Sequence, residues 1–535
     1  MHGKSTKKPP YIWSAWVVFI TVVAGLFLAW LSSRLMIDEL VKRGMAKIYA
    51  PVLSLTYKTA GQKSITVVTI DDTDLKNYGL SWPVPLDYYQ RVIDALTKRQ
   101  AKAIFLDILF IDDKPEKELH ALADAACRAT EAGIPFFLAT FARESLTSNS
   151  ERMLFAARNS AGTPCVIPVQ SNISPDALEQ SQWSYPLRFK DPQATKSENE
   201  NPPVSVALTI YCQLYKGSCP EQSQVPLALI WGSRAAPTNV EIMVERNRAT
   251  GGLEPVCRGQ WNWWEVLPGA SMLYSLAINA NMLPVCPYNQ VLPVRALKGK
   301  GFSAEELDAA ISGKIVLIGA DLKAVGDNVF SPLHGRLPGV HVHAMALDNL
   351  ISFDGQYKEN GDFDLHDLLN TKANQFVLLS ITLIAIVMVP WKPHKKRKIE
   401  NSGKNDEFPE IPKLKGRNLL IARAWIFIKS PLLILTGVPK GYSSPKEKHD
   451  FWLEVKETFI FICLGGIILI MGYGLFSQGP LSIIEYILFS LMAHFLHVGE
   501  TIAERIKHAW EAFWSLNPTL EWAKKEKEYS DENKH

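Results

Sequence analysis

Two kinds of apolar pattern divide the chain. Long apolar runs recur at residues 11–31, 374–391, 459–476 and 480–498, close to the ~17–25 residues a helix needs to cross a bilayer. Between the first two, shorter periodic segments alternate. Residues 64–70, 103–110, 134–141 and 314–318 are β-branched, apolar runs of strand length. Tyr89, Val92, Ile93 and Leu96 form one helical stripe over residues 86–98. Leu119, Leu122, Ala123 and Ala126 form another, which Gly133 ends. Ser303-Ala-Glu-Glu306 is a capping box that opens a helix, and residues 270–283 read as a helix too. After the strand at 314–318, the small residues Gly319, Ala320 and Asp321 predict a sharp turn. The chain then loops through Gly326, Pro332, Gly335 and Pro338 and re-enters a helix at 342–351. Strand alternating with helix implies parallel strands joined by right-handed crossovers. The strands at 64–70 and 314–318 share one grammar and are expected to be neighbours in one sheet. Residues 143–269 lose the pattern to Pro, Ser, Asn and cysteine-bearing loops, and read as an insertion.

The fold class is thus an α/β extracytoplasmic domain, mostly parallel sheet with crossover helices, plus an α-helical membrane region. Lys4, Lys7 and Lys8 precede the first run and place residues 1–10 in the cytoplasm. Trp13, Trp16 and Trp30 sit near its ends, as interfacial aromatics do. A cleaved signal peptide is the rival reading, but the run is long for one and Leu31-Ser-Ser-Arg34 is a poor cleavage site. Residues 32–373 then lie outside. Lys392, Lys395, Lys396, Arg397 and Lys398 follow the second run, so it returns inward. Residues 392–458 form a basic cytoplasmic loop. Within it, residues 419–438 are apolar but hold Arg423, Lys429 and Pro431, and read as lying in the interface; a spanning helix is the alternative. The runs at 459–476 and 480–498 form a tight hairpin. Residues 499–535 are a cytoplasmic tail with Ile502, Ile506, Trp510 and Phe513 along one helical face.

Six of the seven cysteines, Cys127, Cys165, Cys212, Cys219, Cys257 and Cys286, fall between the first two membrane runs. An even set in one compartment points to disulfides in an oxidising space such as a periplasm. Spacing does not fix the connectivity, although Cys212 and Cys219 suit a local bridge. The formal net charge of +3 and the lack of any basic-aromatic cluster give no support for nucleic acid as a partner.

Carboxylates gather where strands end. Asp71, Asp72, Asp107, Asp321 and Asp327 stand in or just after the expected parallel strands, where open α/β sheets hold ligands. They suit a cation or the hydroxyls of a ligand; equally, Asp caps helices and fixes turns. Trp82-Pro-Val-Pro85 is a rigid turn that either walls a pocket or packs. His343 reads as a buried, hydrogen-bonded histidine at the start of a helix rather than a metal ligand, despite His341 and His334 nearby. No nucleophile elbow, Walker loop or zinc-protease motif is present, so neither catalytic residues nor a metal nor a cofactor is expected.

Several of these pieces together resemble the second class of CHASE domain, a bacterial extracytoplasmic sensory domain with flanking transmembrane helices. They are Val68-Thr-Ile-Asp-Asp72, Trp82-Pro-Val-Pro85, residues 103–110, Gly313-Lys-Ile-Val-Leu-Ile-Gly-Ala320, Asp327, Ser331-Pro-Leu333 and Pro338-Gly-Val-His-Val-His-Ala344. The layout is similar too, with one anchor before the domain and three membrane helices after it. The resemblance implies a sensor and carries over no catalytic residue. The chain departs from the family in its long cysteine-bearing insertion and in Leu86, where the family often has Arg after Trp-Pro-x-Pro. No kinase or cyclase module is recognisable in the cytoplasmic segments, so action through protein partners on both sides of the membrane, or through a second copy, is expected. The alternative is a structural subunit of a membrane or envelope-spanning assembly.

This topology makes a direct expectation. A fluorescent reporter that matures only in the cytoplasm should glow when fused after His535. A dark but expressed fusion, with a periplasmic reporter active instead, would mean that residues 419–438 span.

Overall fold

The computed structural model describes residues 50, 54, 57–140, 148–171, 182–189, 203–220, 225–246, 253–260, 283–299, 301–323 and 327–359. All of them belong to one compact unit that includes Glu39–Asp362. The expected membrane runs, the interfacial segment 419–438, the tail and nearly all of the helix expected at 270–283 lie outside the described residues. Among the described residues, no helix is long and apolar enough to cross a membrane.

In chain order the elements begin with β1 (Ile65–Asp71), α1 (Asp72–Tyr78), α2 (Leu86–Lys98), β2 (Ala103–Leu106), α3 (Glu116–Glu131), β3 (Phe136–Thr140), α4 (Asn149–Ala156) and β4 (Ile167–Gln170). There follow β5 (Ser184–Tyr185), α5 (Val206–Leu214), β6 (Leu227–Ala228), α6 (Pro237–Ile242), β7 (Val244–Arg246), β8 (Leu253–Pro255) and β9 (Gln290–Pro293). The last are α7 (Ala304–Ile311), β10 (Ile315–Asp321), β11 (Asn328–Ser331), β12 (Gly335–Pro338) and α8 (Val340–Ser352).

Six strands form one sheet in the order β4-β3-β2-β10-β1-β9, and every pairing in it is parallel. The expected neighbours β1 and β10 pair along their whole length, Ile65 opposite Ile315 through Asp71 opposite Asp321. A parallel sheet is covered on both faces, so its strands carry few polar positions. Val68, Ile70, Ile104, Leu106, Val316 and Ile318 turn to one face, where α2, α3 and α7 bury them. Val67, Phe105, Phe137 and Leu317, at the alternate positions, are equally buried. On that side lie α8 and α5, which pack against each other.

The structure corrects four expectations. Gly319 to Asp321 do not turn; they are the last residues of β10. Gly319 is small for a different reason. A Cβ there would stand 2.6 Å from the Cβ of Val340, so the start of α8 lies directly on the strand. Second, the expected loop from Asp327 to Pro338 is the antiparallel hairpin β11-β12. Third, β2 stops at Leu106, where its ladder with β3 ends, four residues short of the expected end. Fourth, the insertion is not all loop. It supplies α4, α5 and β4, the last an edge strand of the main sheet. Pro168 in β4 lacks a backbone N–H, which an edge position tolerates.

The six cysteines that lie between the first two apolar runs are all bridged. Cys127–Cys165 ties α3 to the approach to β4, Cys212–Cys219 closes the end of α5, and Cys257–Cys286 joins the segment after β8 to the approach to β9. Their Cα separations of 4.6, 4.8 and 4.9 Å are those of ordinary disulfides.

Gly319→Ala should therefore destabilise the domain by about 1–3 kcal/mol through overpacking against Val340. Chemical unfolding of the purified chain measures this. An unchanged midpoint would place α8 away from the strand.

Candidate functional site

The carboxyl ends of β1, β10 and β2 are adjacent, so the residues that end them meet at one edge of the sheet. Asp71 and Asp321 close β1 and β10 in register. Asp107 follows β2, and its N–H continues the ladder to the Ile318 carbonyl at 2.8 Å.

Asp71 is spoken for by local structure. Its side chain caps α1, accepting from the Asp74 N–H at 2.7 Å, while the Asp74 carboxylate accepts from the Asp71 N–H at 3.2 Å. The Arg295 guanidinium donates to Asp71, and the Arg295 backbone N–H donates to Asp74 at 3.0 Å. Asp74 is fully buried, and burial followed by the charge of Asp71 pushes its carboxyl above the usual range. Neither Asp74 nor Arg295 was legible as part of this arrangement. Asp72, exposed at the start of α1, accepts from the Lys323 N–H at 3.4 Å. Asp321 is exposed beside them; partial desolvation, then Asp71 and Asp72, raise its pKa.

Among the described residues, a second group has no such counter-charge. Asp107 is nearly buried, and burial, then the charge of Asp327, holds its carboxyl well above the ordinary range. Asp327, just before β11, is exposed at the surface, and partial desolvation raises its carboxyl. Its carboxylate occupies the space a Cβ on Gly339 would need, 2.3 Å away, so a side chain at the foot of α8 would displace it. His343, in the first turn of α8, is the third member. Its Nδ1 lies 2.8 Å from the Tyr185 hydroxyl and its Nε2 lies 3.8 Å from Asp107. The Tyr185 oxygen accepts from the Ala207 N–H at 3.3 Å, which suits its proton to donation to Nδ1. That leaves Nε2–H facing Asp107. Burial pulls His343 down to about 3. Histidine and carboxyl are thus both driven towards their neutral forms, and at 3.8 Å they form neither an ion pair nor a hydrogen bond.

Asp107 thus has both Asp327 and His343 near it, at the carboxyl ends of the strands, and the three can offer an N–H donor and two carboxyl groups to a ligand. Asp71, Asp72 and Asp321 stand along the same sheet edge. Trp82 does not join them. It packs with Tyr78 and Leu80 against the α2 side of the core, on the opposite face from His343. His341 and His334 are buried but separate. The His334 ring lies between the Gly232 and Cys286 carbonyls at 2.9 and 2.8 Å. Among the described residues, no group of three or more His, Cys, Asp or Glu is arranged to hold a metal ion. Tyr185 comes from the insertion, where no periodic signal marked it.

The family model of the CHASE2 domain matches residues 15–387. No curated protein and no solved structure matches the chain.

Proposed function

Because the chain belongs to the CHASE2 family of bacterial extracytoplasmic sensory domains, we propose that it is a multi-pass protein of the bacterial inner membrane that senses a ligand or a protein partner on the periplasmic side. Recognition takes place in the crevice of Asp107, Asp327 and His343, and the response passes through partner proteins rather than through catalysis by this chain. The observation that carries this reading is the uncompensated pair Asp107 and Asp327. Burial and then the charge of Asp327 raise Asp107, partial desolvation raises the exposed Asp327, and burial drives the neighbouring imidazole towards its neutral form. Acids kept where they oppose stability are a mark of binding sites. The apolar runs before and after the domain, with their flanking lysines, support the membrane placement.

A thermal-shift screen of the full chain in detergent at about pH 8, against small amines, sugars and carboxylic acids, tests this. Compounds that bind should raise the wild-type midpoint; saturation at about 100 times Kd corresponds to about 2.7 kcal/mol. The same compounds should leave Asp107→Asn unmoved. Unliganded Asp107→Asn should melt no lower than wild type, because an ionised carboxyl with a raised pKa disfavours the fold above that pKa. A variant that melts lower, or that keeps every response, contradicts the crevice. The domain would then act as a docking scaffold.

A further inference from the structure

The chain comes into the domain through residues 57–64 and goes out along α8, and one buried carboxyl joins the two. Asp348, two turns from the start of α8, has no exposed surface. Its Oδ1 accepts from the Tyr57 hydroxyl at 2.8 Å, and its Oδ2 accepts from the Asn289 amide at 2.8 Å. The Ser352 hydroxyl accepts from the Gly61 N–H at 3.2 Å and reaches Asp348 Oδ1 at 3.1 Å. Gly61 lies so close that a Cβ there would be 2.4 Å from the Asp348 carboxyl. The Tyr57 ring meets Tyr288 and Phe353 edge-on, at 5.5 and 5.8 Å between centres. The Tyr288 hydroxyl donates to the Lys58 carbonyl at 3.0 Å. The incoming segment, the approach to β9 and the outgoing helix thus all converge on this one side chain.

We propose that Asp348 is a proton-operated latch that fastens the incoming segment to the outgoing helix. Among the described residues, the groups that face the carboxyl carry no positive charge. Tyr57 comes from the incoming segment, Tyr288 and Asn289 from the approach to β9, and Ser352 from α8. Burial raises both tyrosines further, so they stay neutral. The lysines along these segments are Lys58 and Lys63, both exposed at the surface, and Lys358, whose ammonium stands 5.7 Å from the centre of the Phe353 ring. A protonated Asp348 sits in this pocket without the desolvation cost of a charge; an ionised one bears it, relieved only by neutral donors. Burial accordingly holds the carboxyl up at about 7, against its hydrogen bonds, from an ordinary value of 3.8. A carboxyl raised in this way favours the closed latch fully below about pH 4. That contribution is lost as pH rises towards about 7 and stays lost above it. The latch should therefore loosen across the range through which an outer compartment acidifies or recovers.

Hydrogen–deuterium exchange of the full chain in detergent, corrected for intrinsic rates, tests the latch at about pH 5.5 and about pH 8. Peptides covering residues 57–64 and 345–353 should lose at least about tenfold in protection at the higher pH, while peptides of β2 and β3 change less. Asp348→Asn should remove the pH dependence. Tyr57→Phe keeps the ring and deletes the hydroxyl, so it should lower protection of the same peptides by about three- to tenfold. Equal protection at both pH values in the wild type, a loss spread evenly over the domain, or an unaltered Tyr57→Phe would each overturn the proposal. So would a pH dependence that survives in Asp348→Asn.

Discussion

The parallel pairing of β1 with β10 is the contact on which the rest depends. Their partners in register lie 250 positions apart, from Ile65 with Ile315 to Asp71 with Asp321, so the pairing closes almost the whole domain at once. Because it is parallel, both strands end at the same edge and bring their terminal carboxylates together. Because β10 is also paired with β2, Asp107 arrives at that edge too. The close seat of Val340 on Gly319 then fixes where α8 begins, and with it the position of His343.

Three buried or nearly buried acids show three solutions to one electrostatic problem. Asp74 has a guanidinium and a helix cap. Asp348 has neutral donors. Among the described residues, Asp107 has only a neutral imidazole beyond hydrogen-bonding distance and another acid nearby. The first arrangement is structural, the second is sensitive to protons, and the third leaves a place for something else. α8 carries a member of the second and of the third, Asp348 and His343, five residues apart on one helix buried along nearly its whole length. At about 1.5 Å of rise per residue, the crevice and the latch are separated by little more than one helical turn of a rigid element.

The sequence spoke clearly where a pattern was long. Residues 86–98 and 116–131 had helical stripes, Ser303 had its capping box, and β1 and β10 had unbroken β-branched runs. The carboxylates at strand ends followed from the parallel topology. What was not legible was short or tertiary. β4 and β9 have four residues each and carry prolines, so no period could develop. Gly319 looked like a turn because a close helix contact and a tight turn demand the same residue. Tyr185 and Arg295 reach the sheet edge only through the fold. The latch left one trace: Asp348 and Asn349 stand side by side inside an otherwise largely apolar helical run, and buried polar groups in such a run need partners.

The central claim is that Asp107 and Asp327 repel each other within one crevice. A double-mutant cycle on the full chain at about pH 8, with Asp107→Asn and Asp327→Asn alone and combined, measures that repulsion as a free energy of unfolding. Either single change removes it, so the double variant should gain less stability than the sum of the two, by about 0.5–3 kcal/mol. Gains that add to within about 0.3–0.5 kcal/mol would mean that the two carboxyls do not share a site.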